Sequence, residues 1–320
     1  MLVKLGYVSI SERLGKKVTT SSNVTFANYN KQNSKEEKLE KLKSVSLSNL
    51  QDLEKILKYN IENDIFFYRI TSGLIPLVTH PQVGYWGHRE IFKKEFENIG
   101  KIIKESNMRV DTHPNQFNVL NSVNENVIKN TIENLTLQVE WFEDMKYKLG
   151  KMVVHVGGGT NGKDAGIERF LNTFKILPQS ISEKIIIEND DKIYTARDVL
   201  NICKKINIPM VLDVHHHNCN NSGEKLEDII KDIFDTWKDE ELCPKIHFSS
   251  PKELKYYRRH SEYICAEDFV NFIDMAKNIN YDFDVMLECK KKDEALFKLV
   301  HDIRILRPSY KWLNKTTFKV

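Results

Sequence analysis

The sequence contains few cysteines, and their positions form no pattern. Five occur in 320 residues, and none belongs to a CxxC pair. An odd, scattered set of this kind excludes a disulfide framework and a thiolate zinc site. We therefore expect free thiols in a reducing compartment, at Cys203, Cys219, Cys243, Cys265 and Cys289.

Long apolar runs, a leader-like N-terminus and a strong net charge are missing as well. No run approaches the roughly 18 apolar residues that a membrane span needs. The opening MLVKLGYVSI has no small-residue cleavage site, and Gly157-Gly158-Gly159 lacks the spacing of a dinucleotide-binding turn. We expect a cytoplasmic monomer with no membrane partner and no nucleotide cofactor. A net charge of +3 leaves nucleic-acid binding to be argued from local clusters.

Short β-rich segments alternate with amphipathic helical stretches along the chain. Leu47–Tyr59, Phe92–Ile103 and Ile128–Leu149 have apolar residues at helical spacing. Alternating strands and helices predict parallel pairing, and eight such units fit a TIM (β/α)8 barrel better than an open doubly wound sheet. We predict one barrel domain over residues 1–300, with residues 301–320 as a basic appendage packed on it. The predicted strands are Val3–Ile10, Ile65–Thr71, Arg109–His113, Lys151–Gly157, Lys184–Asn189, Pro209–Val214, Lys245–Ser249 and Asp284–Cys289.

Metal-competent side chains recur at or near the ends of six successive predicted strands. In a barrel these ends converge on the C-terminal mouth, where active sites form. Glu188 and Glu288 each follow three apolar residues, and a carboxylate there is costly unless it is paired or bound to metal. Imidazole and carboxylate ligands suit Mn, Zn or Fe, and eight candidates predict two or three metals with shared ligands. The candidates are His113, His155, Glu188, Asp213, His216, His247, His260 and Glu288.

Other histidines and one lysine admit two interpretations each. His215 and His217 flank His216, and the sequence does not decide which of the three is a ligand. His80, in a loop near the mouth, either contacts phosphate or metal or caps a turn. Lys245 shares a strand face with His247, and it is either a phosphate-contacting or modified lysine beside the metals or simply exposed. His88 and His301 lie in predicted helices, and we expect both at the surface.

Two segments at the predicted mouth have features of a nucleic-acid interface. Residues 252–259 contain four cations and one anion around two tyrosines, a composition that suits phosphate contact and base stacking but also a solvated loop. Residues 290–292 add three lysines. Gln116 and Phe117, just past His113, form a plausible wedge for an unstacked lesion, although Phe117 could instead pack in the core. The candidate DNA contacts in the first segment are Lys252, Tyr256, Tyr257, Arg258 and Arg259.

Several short motifs, in this order and spacing, resemble those of the UV damage endonuclease family. They are LGY, YRITSGLIP, THPNQF, HVGGG, IENDD, DVHHH, PKIHFSS and MLECK, and they cover about residues 1–290. The resemblance implies an enzyme that nicks damaged duplex DNA 5′ of cyclobutane pyrimidine dimers and 6-4 photoproducts, leaving a 3′-hydroxyl and a 5′-phosphate. It also implies divalent cations, often Mn²⁺, as cofactors.

The resemblance also implies roles for individual residues. The eight candidate ligands match the family's metal ligands, with Glu188 central to catalysis. Lys245 and His80 match further active-site residues, and Tyr7 matches an aromatic beside the lesion. Gln116 and Phe117 match the wedge pair, although the family often has tyrosine where this chain has Phe117. The stretch SISER, residues 9–13, lacks an asparagine common in the family, so a lesion contact from that loop is not expected.

Three alternatives remain at this level. An abasic-site nuclease like endonuclease IV would share the barrel and the order of ligands. A metal-dependent sugar isomerase would share the barrel but would not need the basic tyrosine-containing segment. A damage-binding protein without catalysis would keep buried carboxylates that cost stability and serve no reaction.

Overall fold

A computed structural model describes residues 1–320, and its centre is a closed barrel of eight parallel strands. Each strand pairs with the next along the chain, and β1 pairs with both β2 and β8, which closes the barrel. This confirms the predicted TIM barrel and all eight predicted strands. The barrel strands are β1 (Leu2–Val8), β2 (Phe67–Ile70), β3 (Arg109–Thr112), β4 (Lys151–His155), β5 (Ile185–Glu188), β6 (Met210–Asp213), β7 (Lys245–Phe248) and β8 (Phe283–Leu287).

Helices connect the strands and cover the outside of the barrel. Their apolar faces pack on outward-facing strand residues in one core cluster of 69 buried residues. None of these helices is long and apolar enough to cross a bilayer. They are α1 (Phe26–Asn30), α2 (Lys35–Glu62), α3 (His88–Ile91), α4 (Lys93–Glu105), α5 (Glu125–Asp144), α6 (Lys163–Lys175), α7 (Gln179–Ser182), α8 (Ala196–Ile206), α9 (Val214–Cys219), α10 (Ile230–Asp235), α11 (Ala266–Ala276) and α12 (Lys292–Leu306), with 3₁₀ turns at Leu226–Asp228, Leu254–Tyr256 and Lys277–Ile279.

Local signals explain where two helices begin. Ser34 accepts a hydrogen bond from the backbone of Glu37 at the start of α2, and Thr195 and Asp198 form a reciprocal capping box at the start of α8. Helix α2 is longer than the predicted Leu47–Tyr59. The prediction for His88 was wrong: it lies in α3 but is buried, packed against Trp86 and Tyr85.

Alternation along each strand decides which residues face the barrel interior. A small cluster separate from the main core is formed by Ile186, Val153, Val211 and Trp237. Ile186 lies two residues before Glu188, so the Glu188 carboxylate also points inward. A Cβ on Gly6 would lie 2.3 Å from the carbonyl oxygen of Phe67, so glycine is required where β1 approaches β2.

The interior of the barrel also contains charged pairs. Near the N-terminal end of the strands, Arg109 donates to Asp284 at 2.8 Å. One layer higher, Lys245 donates to Asp111 at 2.5 Å. All four side chains are buried, and pairing is what makes such burial tolerable.

The C-terminal residues are joined to the barrel by strand pairing. Helix α12 continues through His301 to Leu306. A hairpin of β9 (Lys311–Trp312) and β10 (Thr317–Lys319) follows, and β10 pairs antiparallel with β1. Tyr310 stacks on Phe318 with ring centroids 5.4 Å apart. The chain after α12 therefore packs on the barrel as an extension of its sheet.

Candidate metal centre and DNA-facing mouth

Glu188 lies at the centre of the barrel mouth, surrounded by four histidines. Its Oε2 is 3.1 Å from Nε2 of His113 and 3.6 Å from Nε2 of His155. Its Oε1 is 2.9 Å from Nδ1 of His247 and 3.4 Å from Nδ1 of His216. Strands β3, β4, β5 and β7 and helix α9 thus deliver their candidate ligands to one point.

The remaining three candidate ligands border the same cluster. Glu288 approaches His247 at 3.3 Å and His260 at 3.9 Å. Asp213 offers an oxygen that lies, with donor atoms of Glu188 and His247, in a group spanning no more than 4.8 Å. The structure therefore brings all eight candidates together, and their role as ligands remains a prediction.

The structure distinguishes among the three adjacent histidines. Asp213 caps α9 by accepting a hydrogen bond from the backbone of His216 at 2.7 Å. This short helix turns the His216 ring toward Glu188, while Nδ1 also contacts the carbonyl of Asn189 at 3.0 Å. His215 and His217 are buried but do not approach Glu188, and the His215 ring packs against His260 at 5.6 Å and Tyr257 at 5.7 Å.

Buried polar atoms without hydrogen-bond partners show that this donor set fits metal ions. Oε1 of Glu188, Oδ2 of Asp213, Nδ1 of His155 and Nδ1 of His247 are all orphaned. Nδ1 of His247 and Oε1 of Glu188 are 2.9 Å apart without hydrogen-bond geometry. Buried polar atoms are almost always paired, and one cation held by Glu188, Asp213 and His247, whose donor atoms lie within 4.8 Å of one another, would satisfy the orphaned atoms of these three residues together.

Carboxylate crowding shifts the proton affinities of the cluster. Burial, opposed by His216 and reinforced by Glu188 and Glu288, raises the pKa of Asp213 to about 8. Burial lowers the pKa of His216, but Asp213 and Glu188 overcome this and raise it to about 11. The protein alone therefore holds protons where divalent cations would bind, and cation binding would release them.

Comparison with known proteins identifies the family. The family model for UV-endonuclease UvdE matches residues 3–315. The chain belongs to the UV-endonuclease family. It is 39% identical over 308 residues to the UV DNA damage endonuclease of Bacillus cereus strain B4264, covering 96% of each chain. This confirms the resemblance found in the sequence, and membership in this family makes the chain an endonuclease.

Solved structures agree with the family and with the fold. SacUVDE superposes with a TM-score of 0.84 at 33% identity, covering 95% of this chain and 99% of the other. Endonuclease IV from Thermus thermophilus superposes at 0.53 with 11% identity, covering 80% of this chain and 93% of the other. The second likeness shows a shared barrel alone.

Arg69 is a member of the UV-endonuclease mouth that the sequence analysis missed. Its guanidinium lies 2.5 Å from Oε1 of Glu288 and 2.5 Å from Nε2 of His247, and 3.5 Å from Asp111. Glu288 has a lowered pKa because Arg69 and His247 outweigh the effect of burial. The available signal was a charged residue inside the apolar strand β2, the same signal that identified Glu188.

Lys245 and His80 occupy positions other than those expected for phosphate contacts. Lys245 is buried one layer below His247, and its ammonium is committed to Asp111, so a phosphate cannot reach it in this conformation. The alternative of a surface lysine is wrong for the same reason. His80 stacks on Phe26 with ring centroids 4.1 Å apart and accepts a hydrogen bond from the backbone of Gln82, so it caps a turn.

Tyr7 does not lie where the resemblance implied, whereas the predicted wedge residue Phe117 is exposed to solvent. Tyr7 is fully buried, and its hydroxyl donates to Asn60 at 2.7 Å. Side chains alternate along β1, so Tyr7 faces outward from the barrel rather than toward a lesion. Phe117 is 75% exposed, which rules out the core-packed alternative. Its backbone donates to the Asn115 side chain at 3.0 Å, shaping the loop that presents it beside Gln116.

The basic segment after β7 lies at the mouth. Pro251 and His260 form a β-bridge that closes the loop. Within it Tyr256 has Arg259 over its ring at 4.8 Å and Lys252 at 5.7 Å, and both tyrosines, including Tyr257, are more than one third exposed. Arg258 lies 3.7 Å from Asp191 across the mouth. This arrangement leaves cations and aromatic faces available to a polyanion.

A cavity of about 610 Å³ connects these cations to the metal-ligand cluster. Arg258, Arg259 and Lys292 line it together with His113 and Glu288. A larger cavity of about 740 Å³ opens at the opposite end of the barrel and contains none of the candidate ligands. Because ligand chemistry in this fold lies at the C-terminal ends of the strands, the smaller cavity is the functional one.

Proposed function

We propose that this protein nicks duplex DNA immediately 5′ of UV lesions, leaving a 3′-hydroxyl and a 5′-phosphate. The substrates are cyclobutane pyrimidine dimers and 6-4 photoproducts, and the enzyme acts as a monomer on cytoplasmic, nucleoid DNA. The observation that carries the proposal is the ligand cluster around Glu188 beside an exposed Phe117. The Bacillus cereus relatives, described as UV DNA damage endonucleases over the same length, support the choice of substrate.

The cluster would hold two or three divalent cations, with Mn²⁺ as the proposed ion. Glu188 would help to hold them together with the four histidines, because each of its oxygens faces two of these rings. Bound cations would supply an activated water and charge stabilisation at the phosphoryl group. Glu288, held by Arg69, and Asp213, fixed as the cap of α9, orient the neighbouring ligands.

The side chains around the cluster bind and deform the DNA. Lys252, Arg258 and Arg259 contact backbone phosphates, and the two tyrosines beside them offer stacking faces. Gln116 and Phe117 enter the space left when the damaged nucleotides leave the helix. Lesions weaken base pairing, so extrusion costs less free energy at a lesion than at an intact step.

A plasmid-nicking assay tests the proposed function. Purified protein is incubated with Mn²⁺ and supercoiled plasmid that is irradiated, depurinated or untreated, and relaxation is followed on a gel. Nicking restricted to irradiated DNA supports the proposal, and mapping of the cut ends establishes the 5′ side. Nicking of abasic plasmid alone would replace it with an abasic-site activity, and sedimentation in the same buffer tests the monomer.

A further inference from the structure

Three consecutive lysines follow β8, and the structure gives them different surroundings. Lys290 is exposed at the rim of the mouth cavity. Lys291 points away from the cavity and pairs with Glu294 at 3.5 Å. Lys292 lines the cavity, is half-buried, and has no carboxylate within ion-pair distance of its ammonium group. A partly desolvated cation that has no ion-pair partner within the protein can bind an anion from outside.

The position of Lys292 is fixed by the residue that follows it. Asp293 is fully buried and accepts hydrogen bonds from Ser11 Oγ at 2.5 Å, Glu12 N at 2.7 Å and Tyr59 OH at 2.9 Å. These bonds tie the loop after β8 to the loop after β1. Lys292 itself has a φ of 44°, a left-handed conformation that a lysine rarely adopts.

The three arginines that line the cavity already contact protein groups, whereas Lys290 is exposed to solvent. Arg69 is bound to Glu288 and His247, Arg258 faces Asp191, and Arg259 lies over an aromatic ring. Burial lowers the pKa of Lys292, even though nearby Cys289 and Glu288 oppose the shift. An anion bound at its side would therefore relieve an unfavourable environment that the protein leaves uncompensated.

We propose that Lys292 contacts the scissile phosphate, donating its ammonium to a non-bridging oxygen while the metal-ligand cluster lies on the other side. The cavity that Lys292 lines is shared with His113, His260 and Glu288, so an anion held there borders the cluster. This inference rests on the proposed endonuclease function. It makes Lys292, rather than the buried Lys245, the lysine that reaches the substrate.

Single-turnover nicking of irradiated plasmid by the Mn²⁺-loaded protein tests the role, with Lys291→Gln as the matched control. We expect Lys292→Gln to lower the rate about 100-fold, as removal of one transition-state donor does, and Lys291→Gln to change it less than twofold. Lys292→Arg should recover part of the loss. Lys292→Gly removes the strain of a left-handed backbone conformation, because glycine adopts this conformation readily. If Lys292 served only the fold, this variant would be fully active. We expect its nicking rate to be as low as that of Lys292→Gln.

A second measurement separates this inference from the proposed function. Inorganic phosphate is titrated calorimetrically into the Mn²⁺-loaded wild type, Lys292→Gln and Lys291→Gln, with metal content measured in each. Loss of one charge-assisted hydrogen bond should weaken phosphate binding about 10-fold in Lys292→Gln alone. If Lys292→Gln and the wild type have the same metal content and also the same phosphate affinity or the same nicking rate, the proposed role of Lys292 is wrong. If the wild type nicks no irradiated DNA, the endonuclease proposal fails, and phosphate affinity alone then decides the anion site.

Discussion

Exchanging Glu188 for glutamine is the most informative perturbation of the candidate centre. The amide keeps the shape of the side chain but removes the charge that four histidines surround at 2.9 to 3.6 Å. A unit charge about 4 Å away contributes about 4 kcal/mol at an effective dielectric constant of 20. That corresponds to a factor of about 10³ in affinity for each unit of cation charge. We therefore expect loss of at least one metal ion and no measurable nicking.

Three measurements on the same preparations decide the outcome. Metal content is determined by mass spectrometry, nicking by plasmid relaxation, and binding to irradiated duplex by fluorescence anisotropy. Glu183→Gln, at an exposed carboxylate just before β5, is the matched control and should behave as the wild type. Damage binding by Glu188→Gln should remain measurable, because the DNA-facing residues are unchanged. Wild-type turnover and metal content in Glu188→Gln would refute the assignment of this cluster as the metal centre.

The remaining predictions concern the wedge, the interior pair and the buried tyrosine. In anisotropy titrations, Phe117→Ala should weaken binding to irradiated duplex about 10-fold through lost stacking. The control is Ile176→Ala, because Ile176 is equally exposed at 74% but lies outside the mouth cavity. This control should leave the binding affinity unchanged. Asp111→Asn should lower the free energy of unfolding by about 3 kcal/mol in urea titrations, because Lys245 then remains buried and unpaired. Replacing Asp111 by Leu and Lys245 by Met together should recover most of the lost stability. Tyr7→Phe should cost about 1 kcal/mol of stability with nicking retained, and a selective loss of damage binding would contradict its outward orientation.

Much of the fold and the ligand set could be predicted from local sequence. Most barrel strands are short, largely apolar segments, so they can be recognised without the rest of the chain. Glu188 and Glu288 could be recognised because a carboxylate after three apolar residues has no ordinary place in a strand. Once the strands alternate with helices, the topology itself brings their C-terminal ends together. The convergence on Glu188 therefore required no knowledge of side-chain contacts.

Side-chain direction and interior partners could not be predicted in the same way. Tyr7 faces outward because Gly6 must face the crowded interior, and this register depends on the approach of β2. The sequence left Lys245 open between phosphate contact, modification and exposure, and none of these anticipates its ion pair with Asp111 on a strand across the barrel. The two are far apart in sequence, and nothing local to either predicts the pair. Arg69 carried the same local signal as Glu188, but its partners on β7 and just after β8 could not be inferred from the sequence.

The net charge of the side chains near the C-terminal mouth of the barrel bears on how the candidate metal centre would bind a phosphodiester. Three buried carboxylates, Asp111, Glu188 and Asp213, and the partly buried Glu288 face two basic side chains, Arg69 and Lys245. With neutral histidines, two negative charges remain, which one divalent cation would neutralise. A second or third cation would leave the mouth positive, at a depth where uncompensated charge is costly. An incoming phosphodiester would bring one negative charge and reduce this excess, so a centre with several metals favours the bound substrate over the empty mouth.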